Sequence, residues 1–118
     1  YDAITDRPRL EAVTRAKALS ETRPGGMWEV LGGLARGKYV RLEPDSLVVM
    51  DWRMKSWDDS DPDCRAELHF SQEDGRTVLK IAIHGLPDSR KSSVEGFWRI
   101  QILQAVKVVF GYGSASFL

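Results

Sequence analysis

Between residues 27 and 84, apolar side chains recur at every second position, which predicts strands with one dry and one wet face. In "LVVMDWRMK", Val48, Met50, Trp52 and Met54 share one side, and Val49, Asp51, Arg53 and Lys55 the other. "CRAELHF" sets Cys64, Ala66, Leu68 and Phe70 against Arg65, Glu67 and His69, and "TVLKIAIH" sets Leu79, Ile81 and Ile83 against Lys80, Ala82 and His84. In "KYVRLE" the alternation groups Val40 with Leu42, and Tyr39 with Arg41 and Glu43. "MWEVLGGLARG" supplies the first strand, with Gly32 and Gly33 marking a bulge or a close backbone approach. The breaks "PD", "WDDSDPD" and "QEDGR" are short and polar, and Gly75 is free to take a positive φ. Strands joined this way predict an antiparallel meander that needs a lid on its apolar face.

The flanking segments switch to a helical period. "TDRPRLEAVTRAKALSET" predicts a first helix with Thr5 or Asp6 as its cap, Pro8 in its first turn and Leu10, Val13 and Ala16 on its apolar side. "RPGG" breaks it. "SSVEGFWRIQILQAVKVVFGYG" predicts the lid, opening on a Ser92–Glu95 capping box and stopping at Gly111. Its apolar stripe is Val94, Phe97, Trp98, Ile102, Ala105, Val109 and Phe110. Ile100, Leu103 and Lys107 fall off that stripe, so a second side of the helix needs cover from the first helix, from preceding chain or from a partner.

At 118 residues the chain has the size of one domain, expected to run over residues 1–118. Its start at Tyr1 without a methionine leads us to expect that it is part of a longer protein. Lys plus Arg and Asp plus Glu are equal at 17 each, which argues against broad electrostatic capture of nucleic acid or of an anionic membrane. A single cysteine, Cys64, and the lack of any apolar run of membrane-spanning length lead to the expectation of a cytoplasmic protein.

Catalytic constellations are missing from the sequence. His69 and His84 point outward near Glu67 without a recognised ligand spacing, so solvated histidines are the better reading than a metal site. "WDDSDPD" carries Asp58, Asp59, Asp61 and Asp63 but lacks the glycine and the bidentate glutamate of a calcium loop. Cys64 lies on the apolar face, as a structural thiol does. The glycine-rich "PGGMW" and "GGLARG" fit neither a phosphate-binding loop nor a dinucleotide fingerprint. We therefore expect no enzyme activity, no cofactor and no metal.

Several pieces line up in order: "PGG", then "GGLARGKYVRLEPDSLVVMDWRMKSW", then "GRTVLKIAIHGLP", then a tryptophan-bearing helix ending in "FGYG". Together they resemble the C-terminal domain of the activator of heat shock protein 90 ATPase, a co-chaperone family within the START-like, helix-grip superfamily. The resemblance is good from Pro24 to Gly113 and loose before it. It implies an α+β fold in which a curved antiparallel sheet wraps a long C-terminal helix. It also implies that the superfamily's first strand and much of its first helix precede Tyr1. The implied partner is the chaperone, through its N-terminal ATP-binding domains, and the family motif assigns no catalytic residue.

Under that fold, Trp52 is expected to meet Trp98 or Phe110 inside. Met50, Trp52, Met54, Leu68, Ile81, Trp98 and Phe110 then line the core, or a cavity if the protein carries a lipid or another hydrophobic small molecule. Bulky residues at nearly every inward position favour a filled core. Arg53 and Lys55 are expected on the wet face with Arg41, Arg65 and Lys80, as a locally basic surface for a partner or as an ordinary solvated face. Trp57 falls in phase with Arg53 and Lys55 beside the acidic loop, where it either anchors a partner or packs over the loop. A bacterial stress-response member of the same superfamily, without a chaperone role, also fits these residues.

Overall fold

Asp6 interrupts the N-terminal helix and restarts it. The computed structural model describes residues 1–110 and 114–117, the latter stretch and residues 108–110 by backbone and strand pairing, apart from the Phe117 side chain. It shows two short helices, α1 (Asp2–Thr5) and α2 (Arg7–Thr14), where the periodicity predicted one helix over residues 5–22. The Asp6 side chain accepts from the Arg9 N–H and Pro8 occupies the first turn, as expected of a cap. Arg15, in the left-handed conformation at φ 57°, ends α2 early. Leu19–Ser20, placed in that predicted helix, form strand β1 instead.

The strands β2 (Met27–Val30), β3 (Ala35–Glu43), β4 (Leu47–Met54), β5 (Cys64–Glu73) and β6 (Arg76–His84) follow in order. Each pairs antiparallel with the next. The glycine pair at 32–33 sits not in a bulge but in a 3₁₀ turn (Leu31–Gly33) that joins β2 to β3. The bulge lies later, between Tyr39 and Arg41. It reverses the predicted faces there: Tyr39 is buried and Val40 is 39% exposed. The extra residue moves the side-chain phase by one, which strict alternation does not anticipate. The Asp74–Gly75 turn between β5 and β6 takes positive φ at both residues, as a tight hairpin requires.

A helix α3 (Asp88–Phe97) starts four residues before the predicted Ser92 cap, behind Pro87 and without a side-chain cap. It continues through a π-helical stretch (Trp98–Leu103) into α4 (Gln104–Phe110). A π turn holds one residue more than an α turn, so the inward stripe rotates. Val94, Phe97, Trp98 and Ile102 are buried as predicted, and Val106 joins them, while Ala105 is only partly buried. α2 packs against the π stretch and α4, covering part of the second side, yet Ile100 stays 60% exposed. The predicted stop at Gly111 lies outside the described residues. A further strand, β7 (Ser114–Phe117), pairs parallel with β6, so the sheet, seven-stranded among the described residues, is not antiparallel throughout.

The core lies between the inner sheet face and this helix. Met50, Trp52, Leu68, Ile81 and Trp98 are fully buried, and Met54 packs against them half-buried. Trp52 meets Trp98 at 5.7 Å between ring centroids, and Trp98 stacks on Trp28 at 5.8 Å. The other expected partner, Phe110, has its side chain outside the described residues. Burying aromatic and aliphatic groups of this size stabilises by roughly 1.5–3 kcal/mol each, and the aromatic contacts add to that.

Candidate functional site

The wet face of the sheet is built by the odd-numbered positions of β4 and β5 and the even-numbered positions of β6. Register places Arg36 opposite Arg53, Lys38 opposite Asp51 and Asp51 opposite Arg65. His69 lies opposite Lys80, and Arg65 opposite His84. Of the five residues considered for partner binding, Arg41, Arg53, Lys55 and Lys80 belong to this side of the molecule, while Trp57, expected in phase with Arg53 and Lys55, turns instead to the core beside Trp52.

Arg53 is committed to its own loop. Its side chain is 15% exposed, and its Nη1 lies 2.9 Å from the Asp63 carboxylate. It also donates to the carbonyls of Asp61 at 3.1 Å and Asp58 at 2.7 Å. These bonds satisfy backbone acceptors that a nine-residue loop leaves open. The acidic run at residues 58–63 is thus folded around an arginine from the preceding strand.

Trp57 is 8% exposed, so it packs over this loop and is not a projecting anchor. Its ring meets Trp52 edge-on at 6.1 Å and lies 4.7 Å beneath the Arg90 guanidinium. Arg90 comes from α3 and donates to Asp61 at 2.8 Å. Asp61's carboxyl is held below its usual 3.8, chiefly because Arg90 hydrogen-bonds its ionised form. Arg53, Trp57, Asp61 and Arg90 therefore clasp the β4–β5 loop to the start of the lid helix. Sequence alone had no route to this contact, because Arg90 lies 29 residues from Asp61.

The remaining candidates are exposed. Arg41 pairs with Glu43 at 3.0 Å, a surface bridge of little strength. Lys55 and Lys80 are exposed and make no ion pair among the described residues. Arg65, counted with the basic surface, is matched by Asp51 at 3.0 Å. His84 hydrogen-bonds Glu67 and His69 is exposed. Among the described residues no group of three or more His, Cys, Asp and Glu is placed to hold a metal ion. Cys64 is buried, donates to the Trp52 carbonyl, and is pushed up to about 12 by burial, which keeps it a thiol at neutral pH.

The inner face bears on the carrier reading. The rings of Trp28, Trp52, Phe97 and Trp98 contact one another at centroid separations of 5.6 to 6.3 Å and occupy the space between sheet and helix. The indole N–H of Trp28 donates to the Ile4 carbonyl at 3.0 Å. Those of Trp52 and Trp98 are buried without an acceptor among the described residues. No helix among the described residues is long and apolar enough to cross a membrane.

Comparison with known proteins adds to this geometry. The family model described as "Activator of Hsp90 ATPase homolog 1-like protein" matches residues 1–110. The human "Activator of 90 kDa heat shock protein ATPase homolog 1" is 29% identical over 117 residues, which is 99% of this chain and 34% of that protein. The Dictyostelium discoideum "Activator of 90 kDa heat shock protein ATPase homolog" is also 29% identical, over 99% of this chain and 30% of its own length. The chain thus spans about a third of the length of the curated relatives it matches. Among solved structures, an HSP90 activator from Plasmodium falciparum superposes with a TM-score of 0.81 at 20% identity, covering 96% of this chain and 86% of that one. At that identity the likeness establishes the fold, a START-like helix-grip.

Proposed function

This chain belongs to the family of Activator of Hsp90 ATPase homolog 1-like proteins, and from that membership we propose that it is a co-chaperone module. It binds the heat shock protein 90 chaperone and raises its ATPase rate without catalysing a step itself. The observation that carries this reading is the family match over residues 1–110, joined by relatives named as activators along nearly the whole chain. The wet face, which offers exposed cations, supports a binding role.

The mechanism is a population shift. The chaperone's ATP-binding N-terminal domains exchange between open and paired arrangements, and hydrolysis needs the paired one. A module that binds the paired arrangement more tightly raises its occupancy by its differential affinity alone. The setting is the cytoplasm, and by itself the chain stimulates weakly or not at all, since it matches only a third of the relatives' length.

The test is a chimera. This chain replaces the matching third of the human relative, and chaperone ATPase turnover is compared with the relative lacking that third. The chimera is expected to restore stimulation. Equal turnover for the chimera and the truncated relative would sink the reading.

A further inference from the structure

We infer that the docking surface of this module is a basic, apolar-studded ridge running along β3, and that it takes an acidic segment of the chaperone with apolar residues spaced between the carboxylates. This rests on the co-chaperone reading and adds which part of the wet face does the binding.

Arg36 and Lys38 stand on the outer side of β3, both exposed, with Arg41 beyond the bulge. Lys55 extends the row past Arg36, because its backbone N–H bonds the Leu34 carbonyl at 2.9 Å just before β3 begins. Apolar groups lie among these cations: Met27, opposite Lys38 in register, is 36% exposed and Val40, turned out by the bulge, is 39% exposed. From residue 34 to residue 41 the ridge runs about 20 Å at the rise of a strand.

Among the described residues only Arg41 of this row is met, by Glu43 at 3.0 Å. Arg36, Lys38 and Lys55 make no ion pair among the described residues. Asp51 stands opposite Lys38, but its carboxylate is taken by Arg65 from the other side. Arg36 has Glu29 opposite on β2, with no ion pair formed between them, and Arg53 opposite on β4. Like charges directly opposite on a sheet are unfavourable, and with Arg53 turned to its own loop the Arg36 guanidinium is left exposed for an incoming carboxylate. Elsewhere on the wet face Arg53 holds the 58–63 loop and Arg65 holds Asp51, while Lys80, also unpaired among the described residues, stands three strands away on β6. Charge complementarity therefore selects an acidic occupant, and the exposed Met27 and Val40 select apolar positions within it.

The test titrates the purified chain into the chaperone by calorimetry at two ionic strengths. Arg36→Glu/Lys38→Glu should weaken binding by about tenfold or more, with the milder Arg36→Ala/Lys38→Ala between it and wild type. Wild-type affinity should fall as salt rises. Lys91→Glu, an exposed change on α3, should leave affinity unchanged. Wild-type binding that survives the double reversal overturns the ridge while leaving the co-chaperone reading intact, as does equal weakening by Lys91→Glu. Absence of wild-type binding overturns the co-chaperone reading and the ridge with it. A dimer of this chain that the double reversal dissociates, with chaperone affinity unchanged, overturns the ridge in favour of a self-interface.

Discussion

Gly37 lies on the inner face of β3, directly opposite Trp52. A Cβ there would sit 2.8 Å from the Met50 sulfur and 3.0 Å from the Asp51 carbonyl oxygen. The missing side chain is what lets Met50 and Trp52 both turn fully inward. Gly37→Ala should therefore destabilise the chain by about 1–3 kcal/mol through overpacking, read as a lower melting temperature with the far-ultraviolet spectrum retained. An unchanged melting temperature would show that the sheet absorbs the methyl at that point. The neighbouring Tyr39 shows the opposite use of the same strand. Its hydroxyl reaches Ser20 at 2.6 Å, and burial pushes its pKa up to about 12. The ring belongs inside and its polar tip is answered by β1. Tyrosine fits either face by composition, which is why alternation alone put it on the wrong one.

At the scale of elements, the clasp between the β4–β5 loop and α3 makes a prediction with a sign. Asp61's carboxyl is held below its ordinary value by Arg90. A depressed carboxylate contributes stability that is present above its unfolded pKa and lost as pH falls through the folded one. The clasp should therefore be intact at neutral pH and loosen below about pH 4. Arg90→Ala should open it at neutral pH and raise acrylamide quenching of tryptophan fluorescence. Trp57→Phe in the same background should remove that increase. Quenching that does not rise in Arg90→Ala would mean that Trp57 is held by Trp52 and the loop alone. The lid helix teaches a related lesson. Its apolar period was read correctly as far as Ile102, and the π stretch then rotated the stripe so that Val106 is buried. Helical periodicity assumes one turn length, and a local π turn breaks that assumption without any change in residue type.

For the whole molecule, the question is whether the space between sheet and helix holds a ligand or side chains. Three tryptophans and Phe97 occupy it, each in contact with another. Close packing of this kind leaves little room for a guest. The chain purified under native conditions should therefore give only its bare polypeptide mass by native mass spectrometry. A retained lipid or aromatic compound would reverse that conclusion, and the unpartnered indole N–H groups of Trp52 and Trp98 would then be its polar contacts.

Unlike β1, β7 and the faces of β3 around Tyr39, the order of strands β2 to β6, the dry face of β4, β5 and β6 and the presence of the lid helix were legible in the sequence. Each follows from a period of two or of about 3.6 residues, and a period is a local property that the chain carries with it. The stretch Trp52–Arg53–Met54 shows this: the alternation alone sends Trp52 inward and Arg53 outward, as the structure has them. What the outward residues do was decided only by tertiary structure. Arg53 is spent on a loop, Trp57 is roofed by Arg90, and Arg36 and Lys38 are left without an ion pair among the described residues. These outcomes depend on which groups meet across strands and from a helix 29 or more residues away, and no local pattern encodes such meetings. The sequence by itself determined which face of β4, β5 and β6 meets water, because alternation is local, and the folded chain determined the faces of β3 at its bulge and which charges are free to meet a partner.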